Sequence, residues 1–352
     1  MLPAFGLYTH IRANRWRSAI LLVGLFVLVY LLTFAFALLL RGWEFGTPAD
    51  AGTGLSDYLH AAFRDLIWLA PVTTVVTGLW VTGSYFFHQG LINLVTGSCY
   101  LAREDSPRLY NLLENLCVSR GMAMPKLRVM PTAALNAFAT GLNDRQYAIT
   151  VTSGLLDALD DAEVEAVLAH ELTHIRNDDV RMMVVAVVIA GVITFFAELV
   201  FRYLGHVRGS SGSSKNGKGK GGGGAFAAIL IALVLIAVAW ALSLVIRFAL
   251  SRSREYLADA GAVELTKNPD AMISALVKIK GKGEIEGVPS GVMEMCVDNP
   301  RSGFTDLLAS HPPIDERIDA LMRFAGGHLP ALAPPGAAAS TAGSFSAEAA
   351  PI

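Results

Sequence analysis

The sequence predicts a mostly helical integral membrane protein carrying a small α+β domain that a hydrophobic hairpin interrupts. Three observations lead there. Of 352 residues, 53 % are apolar and only 16 % charged, with a mean hydropathy of +0.47; an ordinary soluble domain is roughly 25 % charged. Four long apolar runs divide the chain. Short strand patterns and capped helical patterns lie around the last two of them. This composition excludes a disordered chain and a simple soluble globule. The net charge of −2 supplies no basic field for nucleic acid. Cys99, Cys117 and Cys296 lie far apart and form neither a disulfide framework nor a CxxC metal knuckle.

Residues 18–40 hold no charge between Arg17 and Arg41. At 1.5 Å per residue they span about 34 Å, enough for a hydrocarbon core of roughly 30 Å. A cleaved signal peptide is the rival reading, with Arg12, Arg15 and Arg17 ahead of the run and Ala35-Phe36-Ala37 resembling a cleavage site. The run continues past that point and is long for such a peptide, which favours an uncleaved anchor. A second run covers 66–87, with Pro71 near its start, and completes an N-terminal region of 1–100. Runs over 182–201, with Glu198 near its end, and 225–246 form a hairpin. The basic residues before the first run put the N-terminus inside. The second run then returns the chain, so residues after about 88 face the cytoplasm, and the hairpin brings 247 onward back to that side. One feature objects: the hairpin loop carries Arg202, Arg208, Lys215, Lys218 and Lys220. Either the hairpin does not fully cross, or the charge rule loses there.

Residues 205–224 have the composition of a flexible Gly/Ser/Lys linker. Residues 327–352, rich in Ala, Pro, Gly and Ser, read as a disordered tail. The polar domain thus falls into two parts, 101–181 and 247–326. Ser106-Pro107 opens a helix that stops at Gly121. Residues 127–130, 136–141 and 147–152 read as short strands, with a turn at Asn143-Asp144. Asp160 and Glu163 form a capping box for a helix with no breaker before Asn177, so it is expected to run straight toward the bilayer.

His170-Glu171-Leu172-Thr173-His174 lies on that helix. Two histidines four apart share one helix face and can present nitrogen to one metal, with imidazole suited to Zn²⁺. Glu171, beside the first histidine, is placed to take a proton from an attacking water. With 8 histidines in the chain, chance matches to this pattern number on the order of 0.01. A catalytic zinc needs a third protein ligand and an open position. Asn177 and Val180 stand where the metzincin extension needs glycine and histidine, which excludes that class. Glu198 lies 24 residues past His174, about 36 Å away on an unbroken helix, and is rejected. Glu255 and Asp259, four apart in Arg254-Glu255-Tyr256-Leu257-Ala258-Asp259, offer a ligand and an acceptor for the free N–H of a ligand histidine. Spacing leaves that reading level with a solvated charge pair to Arg252 or Arg254.

With HELTH, REYLADAGAVEL, NAFATG and HPPIDERI together, residues 120–325 resemble the HtpX-type membrane zinc metalloproteases, the gluzincin group that also holds the CAAX prenyl-protease relatives. The resemblance implies a zincin-like α+β catalytic domain with one zinc per chain held by His170, His174 and Glu255, Glu171 as catalytic base and Asp259 behind the ligands. It implies a multi-pass protein of the bacterial inner membrane whose cytoplasmic active site degrades misfolded or damaged membrane proteins under stress. By similarity, Asn136, Ala137, Phe138, Ala139 and Thr140 form an edge strand to which a polypeptide substrate adds by main-chain hydrogen bonds. Asn136 then orients the scissile group, or is only a turn residue. His311 donates to the oxyanion, or only enters a helix. Arg317 reads as an ion-pair partner of Asp259 or Glu316. His10, His60, His88, His206 and His328 read as bystanders in interfacial or loop positions. Two other functions remain: a processing protease with one substrate, and a scaffold with structural zinc. The scaffold needs a fourth protein ligand, and no cysteine lies near any of the motifs.

Overall fold

The computed structural model describes residues 7–44, 54–186, 223–249, 253–300 and 311–330, with separate positions 189, 191, 192, 196, 198 and 202. In chain order the elements are α1 (Leu7–Glu44), α2 (Leu55–Thr96), β1 (Cys99–Tyr100), α3 (Pro107–Arg120), β2 (Lys126–Met130), β3 (Ala137–Thr140), β4 (Ala148–Thr152), α4 (Ser153–Ala158) and α5 (Asp161–Arg176). A helix α6 follows over 179–186. Then come α7 (Gly223–Ala249), α8 (Ser253–Thr266), α9 (Pro269–Ile279), α10 (Ser290–Met293) and α11 (Ile314–Ala325).

Among the described residues, three helices are long and apolar enough to cross a membrane, over Ile20–Gly42, Leu55–Thr96 and Gly223–Ala241. The predicted run 182–201 is helical where it is described, and the remainder lies outside the described residues, as do 203–222 and 331–352. Gly223 and Gly224, assigned to the linker from composition, instead open α7. Helix α2 extends beyond the predicted 66–87 at both ends. Its first turns bury Tyr58 and Ala62 against α1 and α7, and its last turns bury His88, Ile92 and Thr96. Those turns are amphipathic, so an apolar-run criterion passes over them. Pro71 lies inside the helix rather than at its start and does not end it.

Arg41 forks onto Asp65, Nε to Oδ2 at 2.6 Å and Nη2 to Oδ1 at 2.8 Å. Tyr30 donates to the Ala70 carbonyl at 3.5 Å and also meets Thr74. Helices α1 and α2 are therefore antiparallel, and Tyr85 stands at about the height of Ile20. From Ile20 to Arg41 the rise is about 32 Å, one hydrocarbon thickness. From Tyr85, α2 continues to Thr96 and leads into the polar domain.

That domain is built on a four-stranded sheet of order β1-β2-β4-β3, with β2 and β4 parallel and the outer pairs antiparallel. The predicted strands appear within a residue of their expected bounds; β1, two residues long, has no sequence signal. β4 is buried at every position. One hydrophobic core draws on residues before the hairpin, such as Leu113, Phe138, Val167 and Leu172, and after it, such as Met272, Leu276 and Ile318. α5 and α8 touch closely because Gly261 lacks a side chain. A Cβ there would lie 2.4 Å from Thr173 Cγ2. This contact brings the start of α8 against the histidine face of α5.

Candidate metal centre

α5 starts as its sequence dictates. Asp160 Oδ1 accepts from the Glu163 N–H at 2.9 Å, and Glu163 Oε2 accepts from the Asp160 N–H at 2.8 Å. Three turns later His170 and His174 face one another, their Nε2 atoms 3.1 Å apart. Glu255, in the first turn of α8, closes the triangle. Its Oε2 lies 3.6 Å from His170 Nε2, and its Oε1 lies 3.7 Å from His174 Nε2. All three side chains are buried, with ligand atoms within 4.8 Å of one another.

These distances test whether the residues fit a metal. A tetrahedral ion with bonds of about 2.0–2.1 Å holds its ligand atoms about 3.3 Å apart. The outer nitrogen of each ring lies beside a carboxylate: His174 Nδ1 is hydrogen-bonded to Asp179 Oδ2 at 3.1 Å, and His170 Nδ1 is 3.0 Å from Asp259 Oδ1. With protons on those outer nitrogens, two Nε2 lone pairs and a carboxylate face one another in a buried space. Acceptors so arranged need a cation or protons between them. The nitrogen-and-carboxylate donor set suits zinc.

The protons the protein holds without metal point the same way. Burial opposes charge on His174, but the Glu255 and Asp179 carboxylates outweigh it and push its pKa up to about 10. Burial also opposes ionisation of Glu255, yet His311 and His174 hold its carboxyl well below the usual range. At neutral pH the metal-free His174 is therefore protonated, and zinc must expel that proton to bind. Zinc affinity is expected to fall as pH falls below about 10, and to be falling already at neutral pH. Calorimetric titration of the stripped full chain in two buffers of different ionisation enthalpy measures the released proton; equal heats in both would contradict it.

Glu171 is 1 % exposed, and neither carboxylate oxygen makes a hydrogen bond among the described residues. Burial raises its carboxyl above the usual range, and the two imidazoles partly offset this. Asp259 does more than touch His170. It accepts a fork from Arg317, Nε to Oδ2 at 2.8 Å and Nη2 to Oδ1 at 2.6 Å. Arg317 also donates to the Val297 carbonyl at 2.9 Å and lies 3.7 Å from Glu255 Oε2. Burial opposes charge on Asp259, but the Arg317 guanidinium holds its carboxyl low.

Other expectations change. α5 does not run into the bilayer: it ends at Arg176, and Asp178 adopts a left-handed φ of 59° before α6 begins. Glu198, rejected as a ligand on the ground of an unbroken helix, is indeed no part of this cluster; it is exposed and pairs with Arg202 at 2.8 Å. The break also carries Asp179 to His174, a partner that the sequence reading missed. On an unbroken helix position 179 would point about 140° away from 174. His88, taken as a loop or interfacial residue, is buried within α2, its Nδ1 3.0 Å from the Ser84 carbonyl.

His311 meets the cluster from the far side, with Nδ1 3.4 Å from Glu255 Oε1 and Nε2 3.0 Å from the Glu294 carbonyl. Both ring nitrogens thus face groups of the chain. Asn136 is fully committed. Its Nδ2 donates to the Gly283 and Asp298 carbonyls, each at 2.7 Å, and its Oδ1 accepts from the Ala137 N–H at 3.0 Å and the Asp298 N–H at 3.3 Å. The arrangement makes it a clamp between β3 and two later loops rather than a group aimed at a scissile bond. Asn136→Ala is expected to cost about 3 kcal/mol, because buried carbonyls and N–H groups lose partners. A thermal melt of the full chain measures this; an unchanged melting temperature with lost cleavage would instead favour a direct role on substrate.

β3 is an edge strand, as expected, but part of the edge is covered. The Thr152 N–H donates to the Asn136 carbonyl, so Asn136 faces β4 and Ala137 faces outward. The Ala137 carbonyl there accepts from the Val297 N–H at 3.0 Å, and Phe138 bridges to Cys296. The next outward main chain is that of Ala139. Ala137, Phe138, Ala139 and Thr140 are wholly buried, main chain included, so a partner can reach this edge only where its cover is displaced. The loop after β3 is tied to α2: Asn143 Nδ2 donates to Tyr85 Oη at 2.9 Å, and Gln146 Nε2 donates to the Tyr85 carbonyl at 3.2 Å.

The chain is similar to known peptidases. The model of peptidase family M48 matches residues 103–325. A "Protease HtpX homolog" of Bacteroides fragilis (strain YCH46) is 37 % identical over 331 residues, covering 91 % of this chain and 99 % of the relative. One of Listeria innocua is 35 % identical over 321 residues, covering 90 % of this chain and 99 % of that protein. Among solved structures, Ste24p of S. mikatae aligns with 19 % identity and a TM-score of 0.42, covering 73 % of this chain and 58 % of that one. The protein is a membrane metallopeptidase of family M48, and it belongs there with the HtpX-type proteases.

Proposed function

We propose that the chain is a zinc-dependent endopeptidase acting on membrane-associated polypeptides at the cytoplasmic face of a bacterial inner membrane. The observation that carries this is the buried meeting of His170, His174 and Glu255 beside the buried carboxylate of Glu171. In this reading the two imidazoles and Glu255 hold zinc, within a zincin-like catalytic domain that the hairpin interrupts. Zinc bound there supplies Lewis acidity and lowers the pKa of a water toward about 7. Glu171 takes the proton of the attacking water and returns it to the leaving amine. Asp259, itself steered by Arg317, keeps His170 in the tautomer that presents Nε2. Substrate pairs in extended form with the outer edge of β3 once the cover over Ala139 is displaced, which gives little side-chain selectivity. His311 serves the oxyanion once its ring leaves the Glu294 carbonyl.

Tyr85, within the apolar helix α2, binds the loop that follows β3, so in this reading the substrate strand lies beside the membrane, where damaged membrane proteins expose chain. Arg12, Arg15 and Arg17 belong to the same side of the membrane as the polar domain, which the charge rule puts in the cytoplasm. The test uses the purified full chain in detergent with an unfolded membrane-protein substrate. Chelation should stop cleavage and zinc should restore it; undiminished cleavage in zinc-free protein would overturn the reading. Comparing membrane proteomes with and without the gene addresses its breadth: many stabilised proteins support quality control, and a single one supports narrow processing.

A further inference from the structure

His174 is held from behind by a residue on the far side of a helix break. Its Nδ1 lies 3.1 Å from Asp179 Oδ2, and both side chains are almost wholly buried. The contact exists because Asp178, which is not glycine, takes a φ of 59° and turns the chain back on α5. L-residues enter that region reluctantly, so surrounding structure must hold it. Asp179 is also the first residue of α6. That helix packs on α1, with Met182 and Ala186 against Leu21 and Val185 among Leu25, Leu28 and Leu32; Ile189, beyond it, joins the same cluster.

We propose that Asp179 is a positioning residue of the metal centre, and that it makes the docking of α6 on α1 a condition for the geometry of His174. The proposal rests on His174 being a zinc ligand. A carboxylate on Nδ1–H fixes the tautomer, aims Nε2 at the metal and raises the donor strength of the ring. Asp259 does this for His170 from α8, within the polar domain. Asp179 does it for His174 from a helix that enters the membrane part, so the two ligand histidines are buttressed from different parts of the fold. The same α1 also packs against α7, through Ala228, Ala232 and Ala239. Glu255 follows six residues after α7 ends. Separation of α6 from α1 would therefore loosen the hold on His174 while leaving the β3 edge, and so substrate pairing, in place.

The experiment compares the full chain in detergent with Asp179→Ala, Asp179→Asn and Ala186→Trp. It measures zinc affinity by chelator competition, the visible spectrum of the cobalt-substituted protein, kcat and KM separately, and the melting temperature. Asp179→Ala should lower zinc affinity and kcat by about 10–100-fold, as loss of such partners does, with KM within about twofold and a shifted cobalt spectrum. Asp179→Asn keeps the volume and an acceptor oxygen and should lose less, though more than twofold. Ala186→Trp wedges α6 from α1 and should move kcat and the cobalt spectrum in the direction of Asp179→Ala. If Asp179→Ala does not fold, Asp179→Asn decides: wild-type affinity and spectrum would overturn the proposal. A folded Asp179→Ala with wild-type zinc affinity, kcat and spectrum also overturns it while leaving the zinc reading intact. A wild-type spectrum in folded Ala186→Trp overturns the coupling to α1. Wild-type protein that binds no zinc overturns the metal reading, and this inference with it.

Discussion

Glu171→Gln is expected to lower peptide-bond cleavage by roughly 10²–10⁴-fold while the protein keeps its zinc. Glutamine has nearly the same shape, so the buried pocket between α5 and β3 stays filled. It cannot accept a proton at working pH. Neither Glu171 oxygen makes a hydrogen bond of good geometry among the described residues, and glutamine keeps an oxygen for the Ala139 N–H that faces it, so the exchange disturbs little of the fold. Burial already raises the Glu171 carboxyl, which brings it nearer the pH at which it must both take and give a proton. In the wild type, activity should therefore fail on the acid side as Glu171 becomes protonated, at a pH above that of an ordinary glutamate. Elemental analysis and cleavage of a model membrane substrate measure both halves of the prediction. Cleavage within tenfold of wild type would remove Glu171 from the mechanism; loss of zinc would make it a ligand or a strut.

The second large effect is expected for Glu255→Ala. Its zinc affinity should fall at least as far as the 10–100-fold that losing an outer partner typically costs. Zinc content after purification drops accordingly, and cleavage stops. The substitution also acts without metal. Glu255 is the carboxylate among His170, His174, His311 and the guanidinium of Arg317. Its removal leaves buried positive groups short of their counter-charge, which costs about 3–5 kcal/mol when one partner of a buried pair is deleted. Zinc-free Glu255→Ala should thus melt below zinc-free wild type. Protein that retains stoichiometric zinc would end the assignment of Glu255.

Much of the site was legible because it is local. A capping box, a period of 3.6 and a spacing of four are properties of one helix, and α5 obeys them over Asp161–Arg176. The strand patterns and the stop at Gly121 are equally local, since a left-handed φ of 61° there favours glycine. What escaped depended on chain reversals. Asp179 was invisible because five positions past His174 is the wrong face of any continuous helix, and only the strained turn at Asp178 corrects it. Asn136 was readable as a catalytic group because nothing in NAFATG shows that Gly283 and Asp298 would claim its amide. The covered part of the β3 edge was unreadable for the same reason, since Cys296 and Val297 reach it only through tertiary packing.

By itself, then, the sequence determined where apolar helices of membrane length occur, which helix carries two metal-competent imidazoles, and which carboxylate stands beside them. Each of these follows from hydropathy or helical period within a few turns of chain. Only the tertiary structure decided that Glu255, 81 residues beyond His174, meets the imidazoles while its rival Glu198 faces outward with Arg202. It also decided that Arg317 locks Asp259 and that Asp179 returns to His174. Spacing says nothing about residues whose meeting depends on how α5, α6, α8 and α11 pack, and that packing turns on Gly261 beside Thr173 and on one left-handed residue.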